Sequence, residues 1–156
     1  MGEIQENGSK DALRDLVEQV RAKMNADRVL VTEVTSDTQY VVVQAGAHQQ
    51  PALESSMPIS QSICQHVIGM RFPLSIDDAE CHPLLRGSAA VSQLAIGAYL
   101  GFPFGREFPA LAICAICSGP RAWTSADRAL LSAAIAEIRQ SHAPELLRLL
   151  DRDTKG

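Results

Sequence analysis

The chain has 156 residues, of which 46% are hydrophobic and 21% charged, and its formal net charge is −4 at pH 7. This length supports one domain with a core of its own. The acidic balance and the lack of a basic cluster argue against nucleic acid as a direct partner.

The sequence also shows no segment typical of a membrane span or of secretion. Its longest apolar stretches fall well short of the roughly 20 residues that a membrane-spanning helix needs. The N-terminal segment is polar and lacks the apolar core of a signal peptide. We therefore expect a cytoplasmic protein whose 4 cysteines are reduced thiols.

The first predicted element is a helix that follows a disordered tail. Residues 1–9 are polar and include Gly2 and Gly8, which favours a frayed tail. Ser9 can cap a helix that begins at Lys10. Apolar side chains then recur at helical spacing and form one stripe, on Leu13, Leu16, Val17, Val20 and Met24. A helix with one apolar stripe covers the core from one side.

The middle of the chain combines short strands, loops and helices. β-branched residues, turn residues and helical periodicity predict a strand at 28–34, a strand at 39–45, a polar loop at 46–58, a helix at 61–70, a strand at 72–76, an acidic loop at 77–83 and a short helical piece through 91–94.

Two apolar runs follow, at 96–104 and 110–117. Each has the length of one strand and is bounded by Gly or Pro. The polar break between them, Gly105-Arg106-Glu107, predicts a hairpin of antiparallel neighbours. Because nearly every position is apolar, both strands should be covered on both faces and lie at the centre of the sheet.

The chain closes with a long helix and an apolar extension. Thr124, with Asp127 three residues on, forms a capping-box pattern at the helix start. Pro144 breaks the helix, and residues 144–156 are expected to form a helical extension. This extension has more apolar surface than a solvent-exposed tail requires and would be expected to pack against a partner. The apolar residues are Leu146, Leu147, Leu149 and Leu150. Together the elements predict an α+β fold around a central antiparallel sheet of five or six strands.

Four segments resemble the GAF domain family in their order and spacing. They are SQSICQHVI at 60–68, PLSIDDA at 73–79, AYLGFPF at 98–104 and PRAWTSAD at 120–127. The resemblance extends over nearly the whole chain, and the domain is expected to occupy residues 10–143. It implies that the N-terminal, second and C-terminal helices pack on one face of the sheet, where such domains often dimerise. It also implies that the short helix and the loops enclose a small-ligand pocket on the other face.

The chain departs from the family in two ways. Where the family has Gly and Asp at the ends of the penultimate strand motif, this chain has Leu111 and Cys117. The Asn-Lys-Phe-Asp-Glu signature of members that bind cyclic nucleotides is absent, which argues against that ligand. The sequence therefore names neither a ligand nor a cofactor.

Three of the cysteines are predicted to be core residues. Cys114 and Cys117 have CxxC spacing, but residues three apart on a strand point to opposite faces and cannot hold one metal ion together. Cys64 lies on the apolar face of the second helix, and His66 has no good ligand partner at helical spacing. No metal site is expected.

Cys81 and His82 differ from these residues because they lie in the acidic loop that should border the pocket. Phototransducing GAF domains of cyanobacteria attach a bilin through a Cys followed by His, although Pro83 comes next here. Free-methionine-sulfoxide reductases share the fold and need an exposed nucleophilic cysteine with a resolving one nearby. A bilin photosensor and a redox enzyme that uses Cys81 therefore stay open as alternatives.

The leading interpretation is a non-enzymatic sensory domain, as in bacterial regulatory proteins. A small ligand of unknown identity would bind in the pocket and change helix packing in a homodimer, through residues 13–24 and 146–150, and a signalling partner would receive the change. A ligand-free dimerisation module is a further alternative. The residues expected to line the pocket are Tyr40, Ile76, Asp77, His82, Leu94 and Tyr99.

Overall fold

The computed structural model describes residues 2–35, 37–46, 56–58, 63, 73–83, 96–104 and 110–142. The elements in chain order are helix α1 (Gly2–Met24), strands β1 (Arg28–Val34), β2 (Thr38–Gly46), β3 (Ser56–Pro58), β4 (Leu74–Ile76), β5 (Ala98–Pro103) and β6 (Ala110–Cys117), helix α2 (Ser125–Glu137) and a π-helical turn (Ile138–His142). Among the described residues, no helix has the length and apolarity that crossing a membrane requires.

The six strands form one sheet in the order β3-β2-β1-β6-β5-β4, with antiparallel neighbours throughout. The predicted α+β class, the antiparallel sheet and the β5–β6 hairpin are confirmed. Every residue of β6 from Leu111 to Cys117 is buried, because the strand has a neighbour on each edge and a layer on each face. β5 lies one strand further out, between β6 and the edge strand β4.

Strand alternation divides the buried side chains of the sheet between two faces. The helix face packs against α1 and α2 in one apolar cluster, and its strand residues include Val29, Val31, Leu100, Leu111, Ile113 and Ala115. The loop face forms a second cluster, which includes Leu30, Val34, Leu74, Ile76, Tyr99, Ala112, Cys114 and Ile116. The predicted stripe of α1 is confirmed, since all five of its residues are buried in the helix-face cluster.

Helix α1 begins at Gly2 rather than at Lys10. The expected tail over residues 1–9 is therefore corrected for residues 2–9, and Ser9 lies inside the helix instead of capping it. Residues 3–6 contain Glu and Gln, whose good helix propensity offsets the cost of about 1 kcal/mol for Gly8 within a helix.

Helix α1 ends in a Schellman motif. Asn25 adopts a left-handed conformation with φ 55°, which Asn tolerates better than most residues. Its amide donates to the Ala22 carbonyl, and the Ala26 amide donates to the Arg21 carbonyl, both at 3.2 Å. This turn directs the chain into β1.

Helix α2 begins with the predicted capping box. The Thr124 hydroxyl accepts from the Asp127 amide at 3.1 Å, and the Asp127 carboxylate accepts from the Thr124 amide at 2.9 Å. Both orphan amides are thereby satisfied. The helix continues into the π-helical turn, whose first residue, Ile138, is fully buried against the helix-face cluster.

Several predictions fall outside the described residues: the second helix except Ile63, the short helical piece at 91–94, and the extension at 144–156 with its leucines at 146–150. Ile63 is buried in the loop-face cluster. The predicted loop at 46–58 is corrected at its end, because residues 56–58 form β3 against the start of β2. A strand of three residues is too short to show a periodic pattern. It forms because the outer edge of β2 offers backbone groups to pair.

Candidate functional site

A row of four side chains crosses the loop face near one end of the sheet. Arg28 of β1 is paired with Ile116 of β6, and Ile116 is paired with Tyr99 of β5. Tyr99 is in turn paired with Ile76 of β4. Directly paired residues point to the same face, so the four side chains lie side by side. The structure thus brings together two predicted pocket residues, Ile76 and Tyr99, and places Arg28 in the same row.

The Tyr99 ring lies along its own strand, above Gly101. A Cβ atom added to Gly101 would lie 2.5 Å from the Tyr99 hydroxyl oxygen and 2.6 Å from a ring carbon. Only glycine leaves the ring that space. Tyr99 is 1% exposed and belongs to the loop-face cluster. The aromatic ring therefore forms part of the buried surface of the loop face.

Polar side chains are also buried on the loop face. Arg28 and Thr32 are both 0% exposed and share this face of β1, and Gln39, 4% exposed, is paired with Val34, which lies on the same face at the other end of β1 from Arg28. Burial lowers the pKa of Arg28, while Asp27 and Cys114 act in the opposite direction. None of these three polar residues was predicted to be functional. The position of β1 within the sheet could have indicated them, because polar residues of a strand that is covered on both faces must be buried.

Tyr40, a predicted pocket residue, lies on the other face. The pairing of β1 with β2 shifts between Val31 and Thr32, where β2 contains one extra residue, so that Tyr40 is paired with Glu33. Without this bulge Tyr40 would be opposite Val34, on the loop face. A one-residue shift moves a side chain to the opposite face of a sheet. The structure therefore places Tyr40 on the opposite face from Ile76 and Tyr99.

The loop after β4, residues 77–83, lies at the end of the sheet beside the row. The Ala79 amide donates to the Gly97 carbonyl at 2.7 Å, which holds the loop against the start of β5. Cys81 is exposed, and His82 is half-buried. This placement keeps His82 a candidate at the border of the pocket, whereas Leu94 lies outside the described residues.

Asp77, another predicted pocket residue, bonds to a segment that precedes α2. We call residues 121–123 the strap. The Asp77 carbonyl accepts from the Arg121 amide at 2.9 Å, and its carboxylate accepts from the Trp123 amide at 3.3 Å. The Trp123 indole N–H donates to the Ile76 carbonyl at 3.0 Å. The Asp77 carboxylate therefore holds the strap, a role that sequence analysis did not predict.

The Arg121 side chain connects the strap to both described helices. Its guanidinium donates to the Met24 carbonyl at 2.5 Å and to the Asn25 carbonyl at 3.1 Å, at the end of α1. It also pairs with the Asp127 carboxylate at 3.0 Å, in the first turn of α2. The guanidinium carbon lies 4.7 Å from the centroid of the Trp123 ring. One residue thus joins the end of β4, through its backbone amide, to the helical layer, through its guanidinium.

The described cysteines lie where strand alternation and the loop position predict them. Cys114 is buried in the loop-face cluster and Cys117 in the helix-face cluster, so their predicted opposite orientation is confirmed. Cys81 is exposed, and none of these three forms a disulfide. Cys64 and His66 lie outside the described residues. Within the part of the chain that the structure describes, no group of three or more His, Cys, Asp or Glu is placed to hold a metal ion.

The comparisons with known proteins agree with this architecture. The family model of the GAF domain matches residues 10–141. No curated protein matches the sequence. Among solved structures, a type II free methionine-R-sulfoxide reductase from Thermoplasma acidophilum superposes with a TM-score of 0.69 at 12% identity, covering 90% of this chain and 94% of that one.

Two further structures show how widely the fold is used. The phycocyanobilin-bound GAF domain of a cyanobacterial phytochrome has a TM-score of 0.66 at 14% identity, with 87% of each chain covered. The GAF domain of an Acinetobacter phosphoenolpyruvate-protein phosphotransferase has a TM-score of 0.59 at 17% identity, with 85% of each chain covered. At these identities the likeness shows the fold alone, so activity has to be argued from the site.

Proposed function

The chain belongs to the GAF domain family, and from that premise we propose that it is a non-enzymatic sensory domain. A small ligand binds against the loop face, and the helical layer of a homodimer passes the signal to a partner protein. The cytoplasm suits this role, because the described cysteines form no disulfide.

The observation that carries the proposal is the set of buried polar side chains on the loop face. Arg28, Thr32 and Gln39 lie within the sheet at exposures of 4% or less. On the strands of the helix face the corresponding buried polar residue is Glu33. Ligand pockets are mostly apolar with a few placed polar groups that orient the ligand. The row of Arg28, Ile116, Tyr99 and Ile76 has that composition.

Native mass spectrometry of the purified protein tests whether a ligand is present. We expect an added mass that dissociates under gentle activation, and the same compound should raise the melting temperature of the apo protein. Thr32→Val removes one hydroxyl from the loop face at nearly constant volume and should weaken binding about tenfold.

Glu33→Gln is the matched control for this experiment. Glu33 is the next residue of the same strand and equally buried, but it points to the helix face. We expect its substitution to change stability and to leave ligand affinity unchanged. A protein that shows neither an added mass nor a thermal shift with any compound would instead be a ligand-free dimerisation module.

The homodimer is the second part of the proposal. Helices α1 and α2 pack on the same face of the sheet, and the π-helical turn after α2 also contacts α1. A partner copy docking on this layer would sense any change in how the helices pack. Native mass spectrometry reports the stoichiometry directly, and a monomer at micromolar concentration would refute a relay through the dimer.

A redox enzyme is the competing function, and the exposure of Cys81 is the observation that favours it. If Cys81 were a nucleophile with a lowered pKa, it would react with a thiol reagent within seconds at neutral pH. Cys81→Ser would then abolish this fast reaction. We expect instead the slow reaction of an ordinary exposed thiol. An absorbance scan of the same sample tests the remaining alternative, because a bound bilin would absorb visible light.

A further inference from the structure

We propose that Arg121 is a positioning residue that couples the loop at the ligand site to the ends of α1 and α2. Displacement of residues 77–83 would then be transmitted through the strap to the helical layer. This inference rests on the proposed function for the identity of the signal. The coupling itself is a property of the protein without ligand.

The strap is attached to the end of β4 by three hydrogen bonds. The Arg121 amide and the Trp123 amide both donate to Asp77, and the Trp123 indole donates to the Ile76 carbonyl. Ile76 lies in the row on the loop face, and Asp77 opens the loop that borders it. A ligand that displaces Ile76 and Asp77 therefore displaces the backbone of Arg121.

The other end of the same residue is attached to the helices. The guanidinium donates to the carbonyl of Met24, the last residue of α1, and to the carbonyl of Asn25, which follows it. A cation is favoured there, because the C-terminus of a helix carries partial negative charge. The Asp127 carboxylate, which caps α2, accepts from the same guanidinium. Arg121 thus lies between the end of one helix and the start of the other.

The geometry of the guanidinium makes this connection sensitive to displacement. Its planar fork directs its N–H groups in fixed directions, so a shift of the backbone cannot preserve all the bonds to α1 and Asp127 together. The Trp123 ring beneath it limits its alternative positions. A small movement at Asp77 is therefore converted into loss of contact at the end of α1.

Hydrogen exchange of the apo protein tests the coupling in a double-mutant cycle. Trp123→Phe removes the bond to Ile76 and keeps an aromatic ring under Arg121. We expect exchange to rise about tenfold at residues 77–82 and also at residues 22–26. In an Arg121→Gln background, the same Trp123→Phe change should raise exchange at residues 77–82 alone. The effect on α1 would then depend on Arg121.

Arg128→Gln supplies the matched control. Arg128 lies on α2 and its guanidinium reaches the Ser75 hydroxyl of β4 at 3.5 Å, but it has an exposed side chain. In that background the effect of Trp123→Phe on residues 22–26 should persist in full. If Arg121→Gln does not fold, Arg121→Lys can be used instead, because it keeps the charge but lacks the planar guanidinium. It should reduce the effect of Trp123→Phe on exchange at residues 22–26.

A merely structural Arg121 gives a different result. Its loss would then raise exchange throughout the helix-face core, and the contribution of Trp123→Phe at residues 22–26 would be the same with or without it. That additive outcome would refute the coupling, even if a ligand is found. Failure to find a ligand would refute the proposed function and leave the cycle interpretable, since no ligand enters the measurement.

Discussion

The two faces of the sheet are both buried, yet they are built from different side chains. On the helix face, apolar strand residues, together with the buried Glu33, meet the apolar stripes of α1 and α2. On the loop face, the Tyr99 ring lies over Gly101, and Arg28, Thr32 and Gln39 are buried. Under the proposed function, the helix face supplies stability and the loop face holds the ligand.

The largest effect on stability is expected at two isoleucines of β6, one on each face. Ile113 is 0% exposed on the helix face, and Ile116 is 2% exposed on the loop face. We expect Ile113→Ala to lower the free energy of unfolding by about 3–4 kcal/mol and Ile116→Ala by about 2 kcal/mol. Loops relax into a cavity more readily than packed helices, which is the reason for the difference.

Urea unfolding measures both values, provided that the dependence of the free energy of unfolding on urea concentration is the same in each protein. Equal losses at the two positions would contradict the division of roles between the faces. A larger loss for Ile116→Ala would reverse it.

The next test concerns the contact between Tyr99 and Gly101 on the loop face. Gly101→Ala places a methyl group on the Tyr99 ring, so the ring has to move. We expect a loss of about 1–3 kcal/mol. In a Tyr99→Leu background the same Gly101→Ala change should cost much less, because the ring is gone. Thermal unfolding of the four proteins measures the cycle, and additive losses would show that Tyr99 does not lie above Gly101 in solution.

The parts of the fold that followed from the sequence depend on periodicity and local chemistry. The stripe of α1, the apolar run of β6 and the Thr124–Asp127 capping box each occupy a short stretch whose pattern is complete in itself. The opposite orientation of Cys114 and Cys117 follows from strand alternation in the same way.

The parts that did not follow depend on contacts between distant segments. The face on which Tyr40 lies depends on a bulge in β2, which reverses the alternation of the strand and has no recognisable sequence pattern. The role of Arg121 requires residues nearly a hundred positions apart to meet, at the end of α1. The Asp77 carboxylate resembled a ligand anchor because its partner, the Trp123 amide, lies 46 residues further along the chain.

A smaller effect is expected at the start of α2. Thr124→Ala removes the acceptor for the Asp127 amide and should cost about 1 kcal/mol. Ser132→Ala, at an exposed position of the same helix, is the control and should change stability by less than about 0.5 kcal/mol. Thermal unfolding measures both. A Thr124→Ala protein as stable as the control would mean that the capping box contributes nothing to the helical layer.

The smallest effect is expected at Arg21, which also contacts the end of α1. Its guanidinium donates to the Ala26 carbonyl at 3.3 Å and to the Glu18 carboxylate at 2.9 Å, and this hydrogen bond to Glu18 raises its pKa. Both partners lie within or directly after its own helix, and the ion pair is partly exposed. We therefore expect Arg21→Gln to cost about 0.5 kcal/mol in thermal unfolding. Hydrogen exchange at residues 77–82 should not change, whereas Arg121→Gln should raise it. If both arginines affect that loop equally, capping the end of α1 is what matters, and the strap has no special part in joining the two faces.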